Sequence, residues 1–198
     1  EISNILDGLD KSLAPLKTKT NFYKLQLDSS HPDILDGVAE VGAALGSYEF
    51  EVRSLARTEK DLAFGFPDKD QTSVGFGYMW IEKEGGGEVE VTVNPGTTLQ
   101  KLANNINEMG EGLKAMVVNT GYGSDPYRLL VINEESGVES KIKIDPDTTY
   151  LEFEKQTIGK NLDMLFEDIP ITHNENTIKG VIDNLTLQAR KSEPGTRI

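Results

Sequence analysis

Apolar and polar residues alternate with a period of two in several short stretches that are bounded by turn-forming residues. The clearest stretch is residues 48–53, and residues 74–83 and 88–93 show the same pattern on either side of the turn Glu84-Gly85-Gly86-Gly87. Such alternation is typical of strands with one buried face, and two of them around a glycine turn predict a β-hairpin. The chain is therefore expected to be predominantly antiparallel β-sheet.

Further strands are predicted from short apolar runs between glycine, proline, asparagine and aspartate. They cover residues 22–27, 34–41, 114–119, 127–133, 139–144, 150–153, 169–172 and 185–189. Residues 161–166 are interpreted as a short helix or turn, and residues 176–182 as a helical turn. Residues 58–72 are polar, with Gly65 and Pro67 among them, and are interpreted as a crossing between two domains.

Two segments show helical periodicity. One face of the helix predicted over residues 99–107 carries four apolar side chains: Leu99, Leu102, Ala103 and Ile106. Thr97 or Thr98 caps the start of this helix, and the glycines that follow it end it. Leucines and isoleucines between Ile2 and Leu16 form a narrow stripe, which predicts one helix of a bundle whose other members lie outside the chain. Together these patterns indicate an α+β fold with an N-terminal helical stump.

The charge balance excludes two classes of partner. Twenty basic residues against thirty-three acidic ones give a net charge of −13, whereas binding to nucleic acid or to an anionic membrane needs clustered lysine and arginine. We therefore expect no nucleic acid and no membrane among the partners. No apolar run approaches the roughly 20 residues that span a bilayer. The acidic residues 1–10 do not resemble a signal peptide, and a chain without an initial Met is expected to be part of a longer protein.

Histidine and cysteine offer little chemistry in this chain. The sequence has no cysteine, which excludes disulfides, thiolate zinc sites and cysteine nucleophiles. His31 and His173 are far apart in the sequence and have no further ligand at metal-binding spacing. Both histidines are interpreted as surface or structural residues.

The acidic residues give no clear site either. Residues 68–70 and 145–147 each carry two aspartates but lack the glycine and glutamate of a calcium loop, so both are interpreted as solvated turns. Carboxylates are numerous enough for a glycosidase pair, but Trp80 is the only tryptophan and is interpreted as a core or sheet-face residue. The sequence predicts no catalytic, cofactor-binding or metal-ligating residue, and the chain is expected not to be an enzyme.

Four blocks in a fixed order resemble the bacterial flagellar cap family, also called hook-associated protein 2. The first block, residues 46–56, has a Gly-Ser-Tyr start, a strand and a Leu-Ala pair, and the second, residues 93–107, has a Gly-Thr-Thr-Leu helix start and an Ile-Asn helix end. The third block, residues 113–137, has two paired strands and a Glu-Ser-Gly turn, and the fourth, residues 176–187, is the Asn-Thr-Ile ending. The resemblance covers about residues 1 to 190. The chain has Asn184 where the family often has glycine, and the stretch around Trp80 does not match well.

The resemblance implies a nested domain order. Residues 1–20 would belong to a helical leg domain. Residues 21–57 and 148–198 would form one β-rich head domain, and residues 58–147 would form a second head domain inserted into the first. Pattern alone does not show this nesting.

The resemblance also implies a function in flagellum assembly. Copies of the full-length protein would form a cap ring at the distal tip of the growing filament. The cap would retain exported flagellin and promote its folding and insertion, which needs no cofactor. The implied partners are other copies of the protein, flagellin, an export chaperone and a host or prey surface. The implied location is extracellular, after export by the flagellar type III system.

Two other functions stay open from the sequence. The first is an adhesin-like extracellular module that recognises host glycans or another surface. The second is a different flagellar or phage-tail structural domain, such as a junction protein. A specific ligand and normal filament growth without the protein would favour an adhesin, and a position away from the filament tip would favour the second alternative.

Overall fold

The computed structural model of the chain describes residues 25–147 and 149–198. The helix predicted within residues 1–20 and the start of the strand predicted over residues 22–27 lie outside the described residues. The described part of that strand prediction is wrong, because residues 25–27 have no regular secondary structure.

The described residues contain thirteen β-strands, one α-helix and one short 3₁₀ helix. The strands are β1 (Leu35–Ala39), β2 (Phe50–Ser54), β3 (Lys60–Ala63), β4 (Gly77–Lys83), β5 (Glu88–Val93), β6 (Leu113–Asn119), β7 (Tyr127–Asn133), β8 (Ile142–Asp145), β9 (Phe153–Thr157), β10 (Leu162–Phe166), β11 (Ile169–His173), β12 (Thr177–Lys179) and β13 (Leu185–Ala189). The helices are α1 (Leu99–Met109) and the 3₁₀ turn Val138–Ser140. No helix within the described ranges is long and apolar enough to cross a membrane.

The strands form four small sheets. Sheet 1 has the order β1-β13-β12, sheet 2 has β11-β10-β2, sheet 3 has β6-β7-β3-β9, and sheet 4 has β5-β4-β8. Every pair of neighbouring strands is antiparallel. The predicted α+β fold with predominantly antiparallel sheets is therefore confirmed.

Two separate hydrophobic cores lie among these sheets. The first core joins sheets 1 and 2 and consists of Ile34, Leu35, Phe50, Val52, Ala56, Leu162, Met164, Ile178, Leu185, Leu187 and Ala189. The second core joins sheets 3 and 4 to α1 and consists of Ala63, Phe66, Val74, Met79, Ile81, Val89, Val91, Val93, Leu99, Leu102, Ala103, Ile106, Leu113, Ala115, Leu129, Val131, Ile142 and Leu151. The chain leaves the first core after Ala56 and returns to it at Leu162.

Helix α1 begins at Leu99 as predicted and continues to Met109, beyond the predicted end at residue 107. The Thr98 side chain accepts a hydrogen bond from the backbone N–H of Lys101, and Gly110 ends the helix in the left-handed conformation with φ 67°. A threonine cap satisfies a free helix N–H, and glycine adopts positive φ without steric cost. The four predicted apolar residues are all buried against the second core.

The side chain of Asn107 joins α1 to the edge of sheet 3 by two hydrogen bonds. Its amide nitrogen donates to the carbonyl oxygen of Ala115 at 2.8 Å, and its amide oxygen accepts from the N–H of Ala115 at 2.8 Å. Ala115 lies on β6, an edge strand, whose outward backbone groups would otherwise be open to pairing with another strand. The Ile-Asn helix end that the resemblance pointed to is thus a connection between helix and sheet.

Further predictions of local structure are wrong, including the strand predicted over residues 150–153, of which only Phe153 lies in a strand, β9. Residues 58–72 are not only a crossing, because β3 lies between β7 and β9 in sheet 3. The alternation of β3 is concealed by Asp61, a buried charged residue. The segment 161–166, predicted as a short helix or turn, contains the central strand β10 (Leu162–Phe166), which buries Leu162, Met164 and Leu165 and therefore lacks strict alternation. Residues 176–182 contain the three-residue strand β12 instead of a helical turn.

We expect Asn107→Ala to lower the free energy of unfolding by about 1–2 kcal/mol, because it removes two hydrogen bonds from the backbone of an edge strand. Urea unfolding monitored by circular dichroism measures this change. The matched control is Asn104→Ala on the same helix, where Asn104 accepts only one exposed hydrogen bond from Gln100. Equal effects of the two substitutions would contradict a connecting role for Asn107.

Candidate functional site: the junction between the two cores

The chain crosses between the two cores twice, and the two crossings lie side by side. The N–H of Arg57 donates to the carbonyl of Lys160 at 2.8 Å, and the N–H of Lys160 donates to the carbonyl of Arg57 at 3.2 Å. This pair is an isolated antiparallel bridge. We call the two crossings, together with the turn at residues 134–142 that packs on them, the junction.

A buried carboxylate lies at the centre of the junction. Glu59 is only 1% exposed. One of its oxygens accepts from the Nζ of Lys155 and from the N–H of Ile142 at 3.3 Å, and the other accepts from the N–H of Gly159 at 3.1 Å. The Lys155 ammonium also donates to the carbonyl of Ile142 at 2.7 Å and lies 3.4 Å from Asp61. One carboxylate therefore joins the segment of Glu59 to two segments that are far from it in the sequence, at residue 142 and at residues 155–159.

The contacts of these groups explain their pKa values. Burial raises the pKa of Glu59, but the hydrogen bonds from Lys155, Gly159 and Ile142 outweigh burial and hold it below its ordinary value of 4.5. Burial raises the pKa of Asp61 above its ordinary value, and the Lys155 charge offsets only part of this effect. Burial lowers the pKa of Lys155, but its bonds to the two carboxylates outweigh burial and raise it. Glu59 is therefore ionised at neutral pH and forms a charged pair with Lys155.

Two glycines allow the backbone segments of the junction to approach closely. A Cβ on Gly159 would lie 2.2 Å from the Ser140 hydroxyl and 2.7 Å from the carbonyl oxygen of Gly137. A Cβ on Gly137 would lie 2.6 Å from the side-chain oxygen of Asn161, and Gly137 has φ +96°. Since no side chain fits in either place, both positions require glycine for the packing observed.

The turn of the junction also bonds directly to the first core's segments. The Ser136 hydroxyl donates to the carbonyl of Asn174 at 2.6 Å, and the N–H of Val138 donates to the side-chain oxygen of Asn161 at 2.8 Å. The N–H of Gly137 donates to the carbonyl of Arg57 at 3.1 Å. The Glu-Ser-Gly turn of the third sequence block therefore connects the second core to the first.

A second asparagine joins two more of the sequence blocks. The Asn176 side chain accepts from the N–H of Ala56 at 2.8 Å and donates to the carbonyl of Ala56 at 3.0 Å. Ala56 ends the first block, and Asn176 begins the fourth. This double hydrogen bond holds the exit of the chain from the first core against the start of β12.

The structure does not bring the two histidines together with other candidate ligands. His31 lies in an exposed turn, where its Nδ1 is 3.1 Å from the Ser30 hydroxyl oxygen. His173 ends β11, and its Nδ1 accepts from the N–H of Glu175 at 3.1 Å. Within residues 25–147 and 149–198, no three side chains of His, Asp or Glu lie close enough together to hold a metal ion.

The two aspartate pairs organise turns. One oxygen of Asp68 accepts from the backbone N–H groups of Asp70, Gln71 and Thr72, and the other accepts from the Thr72 hydroxyl. These hydrogen bonds lower the pKa of Asp68 to about 2. In the second pair, Asp145 accepts from the N–H of Asp147 at 3.0 Å.

The residues of the junction were missed by sequence reasoning. Glu59 and Asp61 have no local signal, since a polar segment with two acids is typical of an exposed loop. The one sequence feature that pointed to the junction was the turn Glu135-Ser136-Gly137, which belongs to the third sequence block but for which the resemblance implied no role. The Glu59–Lys155 pair fixes the positions of the crossings, and the hydrogen bonds of the turn connect the two cores.

We expect Glu59→Gln to lower the free energy of unfolding by about 2–3 kcal/mol at neutral pH, because it weakens charge-assisted hydrogen bonds in a buried position. The pKa of Glu59 is lower in the folded protein than 4.5, so its contribution is complete above that value and is lost as the pH falls through the folded pKa. The difference between wild type and variant should therefore shrink as the pH is lowered from neutral through 4.5 and below.

Urea unfolding across this pH range measures the effect. The matched control is Glu82→Gln, which removes an exposed ion pair with Lys143 and should change the free energy by less than about 0.5 kcal/mol. A difference for Glu59→Gln that stays constant down to the lowest pH would contradict the assigned ionisation.

We expect Gly137→Ala to destabilise the protein by about 1–3 kcal/mol more than Gly86→Ala, because the new methyl group collides with Asn161 and Asn174. Gly86 is a suitable control since its φ of +100° is similar and nothing lies within 4 Å of a Cβ placed there. Thermal unfolding of both variants measures the difference. Equal destabilisation would show that backbone strain alone, and not close packing of the junction, requires glycine.

Known proteins are similar to the chain in both sequence and fold. No protein-family model matches it. It is 30% identical over 186 residues to the flagellar hook-associated protein 2 of Campylobacter jejuni, covering 85% of this chain and 27% of that relative. The chain thus spans little more than a quarter of this curated relative's length.

Solved structures agree with this relationship. The flagellar cap protein FliD from Bdellovibrio bacteriovorus is 29% identical, with a TM-score of 0.71 and coverage of 86% of this chain and 97% of that chain. The D1-D2-D3 domains of FliD from Escherichia coli have a TM-score of 0.72 at 18% identity over 83% of this chain and 55% of that chain, which shows the fold alone. The sequence blocks, the fold and these relatives together show that the chain is similar in sequence and in fold to bacterial flagellar cap proteins.

Proposed function

We propose that the chain forms part of a filament cap that retains exported flagellin and promotes its folding and insertion at the distal tip. The observation that carries this proposal is the similarity to the Bdellovibrio cap protein, which extends over 97% of that chain at 29% identity. The family is a structural one, and we infer that this chain acts by position and contact and has no enzymatic activity.

The two cores support a nested division into two head domains. We propose that residues 25–57 and 160–198 form one head domain and that residues 58–157 form the inserted one. Leu151 lies in the second core and Phe153 packs against it, and both observations support a return crossing later than the boundary at residue 148 that the sequence predicted. The leg domain proposed for residues 1–20 lies outside the described residues.

The junction gives this division a mechanical consequence. A single covalent crossing would let one head domain turn relative to the other, whereas two adjacent crossings and a turn of the inserted domain that is hydrogen-bonded to segments of the first core oppose rotation. A cap that stays attached while subunits insert beneath it needs heads of fixed relative orientation. We infer that the junction keeps the two head domains in one orientation during insertion.

The proposed partners follow from the cap function. They are other copies of the full-length protein in a ring, flagellin as the retained subunit, and an export chaperone before secretion. The proposed location is the extracellular tip of the filament, reached through the flagellar type III system. The adhesin-like alternative and the other tail-domain alternative are not favoured, because the relatives are flagellar cap proteins.

Deletion of the full-length gene in its source bacterium tests the proposal. We expect monomeric flagellin in the medium and short or absent filaments, measured by immunoblot and electron microscopy. Plasmid-borne wild type and the Gly86→Ala variant should restore filaments, whereas Gly137→Ala should restore fewer at equal secreted amounts. Normal filaments in the deletion strain would contradict the cap function, and equal restoration by the two variants would contradict only the role of the junction.

A further inference from the structure

The outer face of sheet 4 carries aromatic side chains where a solvent-facing sheet ordinarily carries polar ones. Tyr78 and Trp80 alternate along β4 with the buried Met79 and Ile81, so the two aromatic residues share the outer face. Tyr78 is 47% exposed and Trp80 is half-buried. Their ring centroids lie 6.4 Å apart at an interplanar angle of 31°. The two rings thus form a small aromatic surface on the central strand of the sheet.

Carboxylates border this aromatic surface on both sides. Trp80 is directly opposite Glu90 on β5 and directly opposite Asp145 on β8, and side chains opposite each other on antiparallel strands are neighbours on one face. One step along, Glu82 is opposite Glu88 and Lys143. All five of these charged residues are exposed.

The charges on this face are unbalanced. Lys143 is the one cation among these positions, and it already pairs with Glu82 at 3.3 Å. Glu90 makes no side-chain hydrogen bond or ion pair with any residue that the structure describes. Among the residues that the structure describes, the Asp145 side chain accepts a hydrogen bond only from the N–H of Asp147. An indole face with an unpaired carboxylate on one side and a second carboxylate on the other attracts a cation.

We propose that the outer face of sheet 4, centred on Trp80, binds a polypeptide segment that carries arginine or lysine. A guanidinium or ammonium group above the aromatic rings gains a cation–π interaction, and Glu90 and Asp145 supply ion pairs from the two flanking strands. An apolar segment would instead remove these carboxylates from water without compensation. The net charge of −13 increases the encounter rate with a basic segment. This inference goes beyond the cap function and does not depend on it.

A fluorescence titration tests the proposal, with Trp80 as the intrinsic reporter. Trp80 is the only tryptophan, so tryptophan fluorescence reports directly on this face. The chain is titrated with a short peptide that alternates arginine and glycine, and with the same peptide in which neutral citrulline replaces each arginine. We expect a saturable fluorescence change with the arginine peptide that weakens as salt is added, and none with the citrulline peptide. No change with the arginine peptide, or equal changes with both, would overturn the proposal.

Paired variants separate a local site from general charge attraction. The double variant Glu90→Gln with Asp145→Asn keeps the acceptor for the Asp147 turn and should bind the arginine peptide about tenfold more weakly. The control is Glu40→Gln with Glu108→Gln, two exposed residues away from β4 and its neighbouring strands, which removes the same net charge. Unchanged binding by the control supports the site. Equal weakening in both variants, or no weakening in the first, would overturn it.

Discussion

The ionised side chain of Glu59 is the group on which the packing of the two crossings against the second core depends. An uncompensated carboxylate buried to this degree would cost several kcal/mol. The charge of Lys155 and the N–H groups of Ile142 and Gly159 remove that cost. Because these three groups come from β8, β9 and the return crossing, the carboxylate is satisfied only when both crossings and the turn are in place. The ion pair therefore requires one particular arrangement of the junction and excludes others.

Local structure that depends on neighbouring residues was predictable from the sequence, and structure that depends on distant partners was not. The β4–β5 hairpin, helix α1 and strand β13 follow from period-two alternation, a threonine cap and glycine turns, all of which act within a few residues. Strand β3 was missed because Asp61 occupies a buried position whose compensating ammonium, on Lys155, lies 94 residues away. Strand β10 was missed because burial of Leu165 beside Met164 removes the alternation on which strand prediction depends.

The candidate site illustrates what a family resemblance contains and what it lacks. The sequence blocks that resemble the family include Asn107, Gly137 and Asn176, but the sequence alone assigned no structural role to any of them. In the structure all three connect elements: Asn107 joins helix to sheet edge, Asn176 joins the first and fourth blocks, and Gly137 admits the close contact of the junction. The chemistry expected of family motifs in an enzyme is ligand binding or catalysis. Here the corresponding residues form hydrogen bonds and close contacts that join elements of the fold.

The acidic residues of sheet 4 affect contacts between copies of the chain as well as contacts with other partners. Sheet 4 exposes Tyr78 and Trp80 beside the edge strand β5, a combination that in a neutral protein favours pairing between copies. Glu88 and Glu90 lie on the outer face of that edge strand, so two copies that approach through this face bring like charges together. The same carboxylates that oppose this unwanted contact leave the aromatic surface open to a cation. Repulsion of identical copies and attraction of a basic segment are thus two consequences of one charge pattern.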